Sequence, residues 1–83
     1  MARTADTPSP PTIAELTRQA REATQALARR PDVEAFHALL GLSQLVGESL
    51  GQSARLLAAN TSWSQVAEVS GTTKQAAWSR WSG

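Results

Sequence analysis

Residues 62–83, SWSQVAEVSGTTKQAAWSRWSG, hold all three tryptophans of an 83-residue chain. Two short helical runs flank a Ser-Gly-Thr-Thr joint. Ser62 has the chemistry of an N-cap, and Gln65 three residues later completes the pattern of a capping box. The helix from Trp63 to Val69 is about two turns, too short to be stable alone. Val66, Ala67 and Val69 supply its apolar contacts. Gly71 gives a backbone angle closed to most residues, and Thr73 caps a second helix from Lys74 to Trp81. Ala67 is small enough to let that helix pass close, and Ala76 and Ala77 keep it slim. Short helices meeting steeply across a tight turn are the pattern of a helix-turn-helix.

Upstream, the run from Val33 to Ala59 is long and largely apolar. Val33, Phe36, Leu40, Ser43, Gly47, Leu50, Ala54 and Leu57 form one stripe at heptad-like spacing. Leu39, Leu42, Leu45, Val46 and Leu56 widen it beyond what one helix can cover, so burial on two sides is expected. Ser43, Gly47 and Gly51 fall four residues apart, which fits either a close helix crossing or a break near Gly47 to Gly51. One long helix, kinked at most, is the expectation, with Asp32 as its N-cap and Asn60 as a left-handed stop.

Before it, the stretch TIAE at Thr12 to Glu15 is a capping box. Ile13, Leu16, Ala20, Ala23 and Leu27 then trace one apolar stripe, ending at Arg29-Arg30 before Pro31. This helix is expected to cover one side of the long one, and a second copy of the chain the other. Met1 to Pro11 has almost nothing to bury and reads as a disordered tail. For Arg3, a solvated position outweighs a DNA contact on composition grounds. The predicted organisation is all-α: a tail at 1–11, a helical dimerisation region at 12–60 with helices near 12–29 and 32–59, and a minimal C-terminal helix-turn-helix without a wing at 61–83.

Net charge is +1, and the chain has no cysteine and one histidine. That excludes disulfides and thiolate metal sites. His37 reads as a surface or interface residue, with no nucleophile or paired acid to suggest catalysis. No enzyme activity, cofactor or metal is expected. No apolar run approaches the roughly 18 residues of a membrane span, and the N-terminus lacks the apolar core of a signal peptide. Both point to the cytoplasm and away from the membrane. A chain this small buries only about 60% of its unfolded surface, which favours oligomerisation as a source of stability. After Gly51 the only acid is Glu68, against Arg55, Lys74 and Arg80.

Residues 62–81 also resemble the compact helix-turn-helix of many small actinobacterial DNA-binding proteins. That pattern runs approximately Ser-Trp-x-x-Ile-(Gly/Ala)-x-x-Leu-Gly-Val-Ser-(Arg/Lys)-Gln-Ala-Ala-Trp-x-Arg-(Phe/Trp). Ser62, Trp63, Val66, Ala67, Gly71, Thr73, Lys74, Gln75, Ala76, Ala77, Trp78, Arg80 and Trp81 match it without gaps. The match covers about a quarter of the chain, and the motif follows a long helix, as in such proteins. Ser70 stands where the pattern has Leu, and Thr72 where it has Val. Losing two apolar contacts costs about a few kcal/mol at buried sites. The motif is therefore expected to lean on the preceding helix, or on Val69 and the tryptophans.

The resemblance implies double-stranded DNA as a partner, read in the major groove by Thr73 to Trp81. Lys74 and Gln75 suit guanine and adenine edges, and Thr72, Thr73 and Ser79 complete the outer face. The competing account of these residues is an ordinary solvated helix face. Ser62 and Thr61 can offer hydroxyl and amide groups to a phosphate, although capping alone explains Ser62. Arg80 suits a phosphate or its own helix end, and Arg55 a phosphate or no contact at all. Trp63 and Trp81 are core candidates, each able to bury roughly 150–250 Å²; Trp78 belongs at the edge, along the DNA backbone. Val33, Phe36, Leu39, Leu40, Ser43, Gly47 and Leu50 are the candidate dimer interface. The expected function is a small dimeric, sequence-specific DNA-binding protein associated with the nucleoid, a transcriptional regulator or a replicon- or chromosome-associated factor. The alternative is a helical adaptor whose long apolar helix takes a protein partner.

Overall fold

The computed structural model describes residues 9–83. Most of the expected tail, with Arg3, lies outside the described residues; residues 9–11 are exposed and without regular structure. The fold is all-α, with four helices and, among the described residues, no strand: α1 (Ile13–Ala28), α2 (Val33–Asn60), α3 (Trp63–Ser70) and α4 (Lys74–Trp81).

α1 begins at a complete capping box. The Glu15 amide donates to the Thr12 hydroxyl at 3.1 Å, and the Thr12 amide to the Glu15 carboxylate at 3.0 Å. The Thr12 amide first, and the Thr12 side chain second, hold the Glu15 carboxyl below its usual range. The helix stops before Pro31, where the Arg29 amide is shared between the Gln25 and Ala26 carbonyls. No residue of α1 is buried, and Ile13 stands 84% exposed. Of the expected stripe only Leu27 is half-buried, while Ile13, Leu16, Ala20 and Ala23 are exposed. Ala20 and Ala23 place single methyl groups at its centre, too little apolar area to hold a neighbour.

Between α1 and α2, Arg30 Nε donates to the Asp32 carboxylate at 2.7 Å. The Phe36 amide bonds the Asp32 carbonyl at 3.2 Å. The side chain expected to cap α2 is thus engaged by Arg30. α2 runs unbroken through Gly41, Gly47 and Gly51. Asn60 is its last residue and stays right-handed, because Gly71 is the only described residue with a positive φ. The expected left-handed stop gives way to Thr61. Its amide and hydroxyl both bond the Leu57 carbonyl, at 2.9 and 2.7 Å.

The chain divides into two compact units inside α2, residues 1–39 and 40–83. The reason lies in the second unit's core, formed by Ala54, Val66, Ala67 and Ala77 with Leu57, Ala58, Trp63 and Trp81 packed against it. The C-terminal half of α2 therefore shares one core with α3 and α4. Four of these eight residues are alanines, small enough for α3 and α4 to approach closely, and two are tryptophans, the largest side chains packed against the core.

Gly71 closes α3 with φ 72° and ψ 33°. The Thr72 amide donates to the Ala67 carbonyl at 2.9 Å and the Gly71 amide to the Glu68 carbonyl at 3.3 Å, the two bonds of a Schellman ending. The Ser70 hydroxyl turns back to the Val66 carbonyl at 2.6 Å, satisfying itself where the resembled pattern has leucine. Val69 is exposed, so the support expected from it is absent and α2 carries that role. A Cβ at Gly71 would meet nothing within 4 Å, which leaves the backbone angle as the penalty. Gly71→Ala is accordingly expected to lower stability by about 1–2 kcal/mol. Gly71→Asn should cost less. Thermal unfolding followed by tryptophan emission measures both, and equal losses would contradict this account.

Candidate nucleic-acid interface

Thr73 starts α4 as an N-cap, its hydroxyl accepting the Ala76 amide at 3.1 Å. Lys74 and Gln75 follow in the first turn, both exposed. Ala77 is completely buried, at 0% exposure, and Trp81 one turn later is half-buried against the same core. At 3.6 residues per turn, Gln75 and Ser79 stand on the side of α4 opposite Ala77 and Trp81. Both are exposed, as is Thr72 ahead of the helix. Trp78 lies between these faces and is 56% exposed, leaving much of its indole open. The structure thus brings Thr72, Thr73, Lys74, Gln75, Trp78 and Ser79 to the exposed surface of one short segment.

The far end of α4 is tied to α2. Arg55 Nη1 donates to the Trp81 carbonyl at 3.0 Å. Gly51, one turn earlier on α2, leaves room for this bond: a Cβ there would lie 3.3 Å from Arg55 Nη1 and 3.8 Å from Trp81 Cδ1. Capping the α4 terminus, one of the roles expected of Arg80, thus falls to Arg55. The Arg80 guanidinium instead sits 5.3 Å from the Trp81 ring centroid, at cation–π distance. Arg55 is exposed and keeps further N–H donors beyond the one engaged. Nothing in the local pattern announces this tie; its one signal in the sequence is Gly51 and Arg55 one turn apart on one face.

Ser62 caps α3, its hydroxyl accepting the Gln65 amide at 3.1 Å. Only this half of the expected capping box is formed. On α2, Val33, Phe36, Leu40, Ser43, Gly47 and Leu50 are exposed and Leu39 is half-buried. Phe36 at 65% and Leu40 at 54% expose most of their apolar area. His37 is exposed as well. Among the described residues no cluster of His, Asp or Glu could hold a metal ion, and no helix is long and apolar enough to cross a membrane.

The chain matches no protein-family model, and comparisons with curated proteins and with solved structures return no match.

Proposed function

We propose that this chain is a small, sequence-specific double-stranded DNA-binding protein that works as a homodimer and reads the major groove with α4. One observation carries the reading: a helix opening Thr-Lys-Gln, pinned by Ala77 and Trp81, with Gln75 and Ser79 on the opposite, open side and Lys74 exposed in its first turn. Side chains near the start of a helix reach base edges when that helix enters the major groove. Gln75 suits the N6/N7 edge of adenine and Lys74 suits guanine or a phosphate. Arg55 and Arg80 flank the end of the helix and Ser62 the start of α3, placed for backbone phosphates. One such unit makes few phosphate contacts, so a monomer binds weakly and two linked copies gain through effective concentration. Transcriptional regulation, or a replicon- or chromosome-associated role in the cytoplasm, follows from such binding.

A gel shift against mixed genomic DNA at low salt, then site selection on random duplexes, tests this. Retarded complexes and a short enriched motif are expected. No retardation at tens of micromolar protein would favour a second reading, a helical adaptor. The exposed apolar side chains of α2, Phe36, Leu45, Val46 and Leu56 among them, support that alternative.

A further inference from the structure

The three tryptophans stand in different surroundings. Trp63 and Trp81 pack against the core of Ala54, Val66, Ala67 and Ala77. Trp78 has no part in that core and is 56% exposed. A tryptophan side chain is able to bury roughly 150–250 Å², so an indole left open keeps a large apolar area in water. An exposed leucine would call for no explanation. Trp78 differs in presenting a flat aromatic face, and in the company it keeps on α4.

One turn before Trp78 stands Lys74, also exposed. Residues four apart on a helix are neighbours, with Cβ atoms about 5–6 Å apart. At 3.6 residues per turn Lys74 and Trp78 lie about 40° apart, on one flank of α4. Arg80 is on the far flank, its guanidinium over the Trp81 ring. Among the described residues that is the one cation–π contact, so no cation covers the Trp78 face. From Val69 to Gly83 the chain carries no acid. Of the two acids after Leu40, Glu68 stands on α3 away from its buried side at Val66 and Ala67, and Glu48 lies on α2 ahead of the core residue Ala54.

We propose that Trp78 and Lys74 form a stacking site for an unpaired nucleobase and its phosphate, through which this chain binds single-stranded nucleic acid. Stacking asks only for a π-face, which every base has. Each base is joined through its sugar to a phosphate, and a cation one turn from the indole complements that charge. An apolar side chain of a protein partner would use the open indole and leave Lys74 without a role. The site is also ordered in advance. Ala77 in the core and the Arg55 bond to the Trp81 carbonyl fix the backbone of α4, and an indole has only two side-chain torsions to lose.

The stacking site does not rest on the duplex reading above. Bases inside a duplex have their faces covered by neighbouring pairs, so the indole accepts only bases that are unpaired. Titration with an oligo(dT) of about 10 nucleotides at low salt tests the site, a length within the span of one small fold. Tryptophan emission should fall as the open indole is covered. An abasic strand of equal length keeps every phosphate and lacks the bases. It should bind about 5- to 150-fold more weakly, the loss of one stacked base. Trp78→Ala and Trp78→Leu should bind oligo(dT) with that same loss, whereas Trp78→Phe, which keeps a ring, should retain most of the affinity. The position is exposed, so the variants should fold, and emission from Trp63 and Trp81 checks that they do. Lys74→Ala should lower the salt slope by about 0.7 on both strands. Oligo(U) should bind within a few-fold of oligo(dT), because a stack takes no account of the sugar.

No binding of oligo(dT) at tens of micromolar protein overturns the proposal. Equal affinity for oligo(dT) and the abasic strand overturns it too, since phosphates alone would then hold the strand. That comparison uses the parent chain, so it decides the matter even where a variant unfolds. Full affinity in Trp78→Leu reduces the contact to plain apolar area and overturns the stack. An unchanged salt slope in Lys74→Ala overturns the pairing of Lys74 with it. A preference for oligo(U) beyond about tenfold overturns stacking as the source of affinity, because the 2′-hydroxyl would then be read. Duplex DNA that shifts with the parent while oligo(dT) fails to bind sinks this site and leaves the duplex reading standing. The reverse pattern sinks the duplex reading and leaves the stacking site.

Discussion

Ala77→Asp is expected to unfold the core that holds α3 and α4 to the end of α2. Ala77 is fully buried among Ala54, Val66 and Ala67, and none of these neighbours can pair a carboxylate. An uncompensated buried charge costs about 3–5 kcal/mol. Folded domains hold only about 0.05–0.15 kcal/mol per residue, so a unit spanning residues 40–83 has little to lose. All three tryptophans lie in residues 62–83, and Trp63 and Trp81 pack against this core, so changes in their emission report on it. The variant should show red-shifted emission at room temperature and lose the helical signal of α3 and α4. Ala76→Asp is the matched control. Ala76 is exposed in the first turn of α4, where an acid meets the positive end of the helix. It should fold within about 0.5 kcal/mol of the parent. Similar melting of the two variants would show that α4 is not seated on Ala77.

The contrast between Ala76 and Ala77 also marks how far the sequence alone could be read. Helix positions followed from local chemistry: Thr12 with Glu15, Ser62, Thr73 and the Gly71 ending each act within one turn, and each appears in the structure. Contacts between elements were less legible. The heptad stripe of α2 is continuous in sequence. Nothing in its composition shows that α3 and α4 cover Ala54 and Leu57 while Leu40 and Leu50 stay open. The α1 stripe met every periodicity test, yet periodicity counts positions and not area, and around its central alanines it stays exposed, with only Leu27 half-buried. Asn60 misled for a related reason. Its tolerance of left-handed backbone is a permission, and the Thr61 hydroxyl on the Leu57 carbonyl removes the need for it. The Arg55–Trp81 bond spans 26 residues and depends on the missing side chain of Gly51. Local pattern has no access to such a contact. Within the candidate interface, the order Thr-Lys-Gln was plain, while the outward side of α4 became known only once Ala77 and Trp81 were seen in the core.

Gln75→Ala and Lys74→Ala should separate the reading of bases from the holding of phosphates. Both side chains are exposed, and neither belongs to the core, so both variants should fold as the parent does. Gln75 stands opposite Ala77, aimed away from the core. If Gln75 pairs with adenine as proposed, its loss should cost about 1–3 kcal/mol on the selected site and relax preference at one base pair. Non-specific duplexes should be bound as before. Lys74 sits about 100° around the helix from Gln75, on the side of Trp81. A phosphate contact there would weaken binding on every sequence alike and lower the salt slope by about one per site, or two in a dimer. A guanine contact would instead behave as Gln75 does. The salt titration decides between these two roles, because releasing a counterion changes the slope whereas losing a base contact changes only the intercept. If both variants match the parent on all DNA at all salt concentrations, α4 does not read DNA. The surface that matters would then be the apolar face of α2. The reading-head account favours the first pattern, because Ala77 on one side and Arg55 at its end fix the backbone of α4, so a polar side chain at its start has only its own rotamers to lose on meeting a base edge.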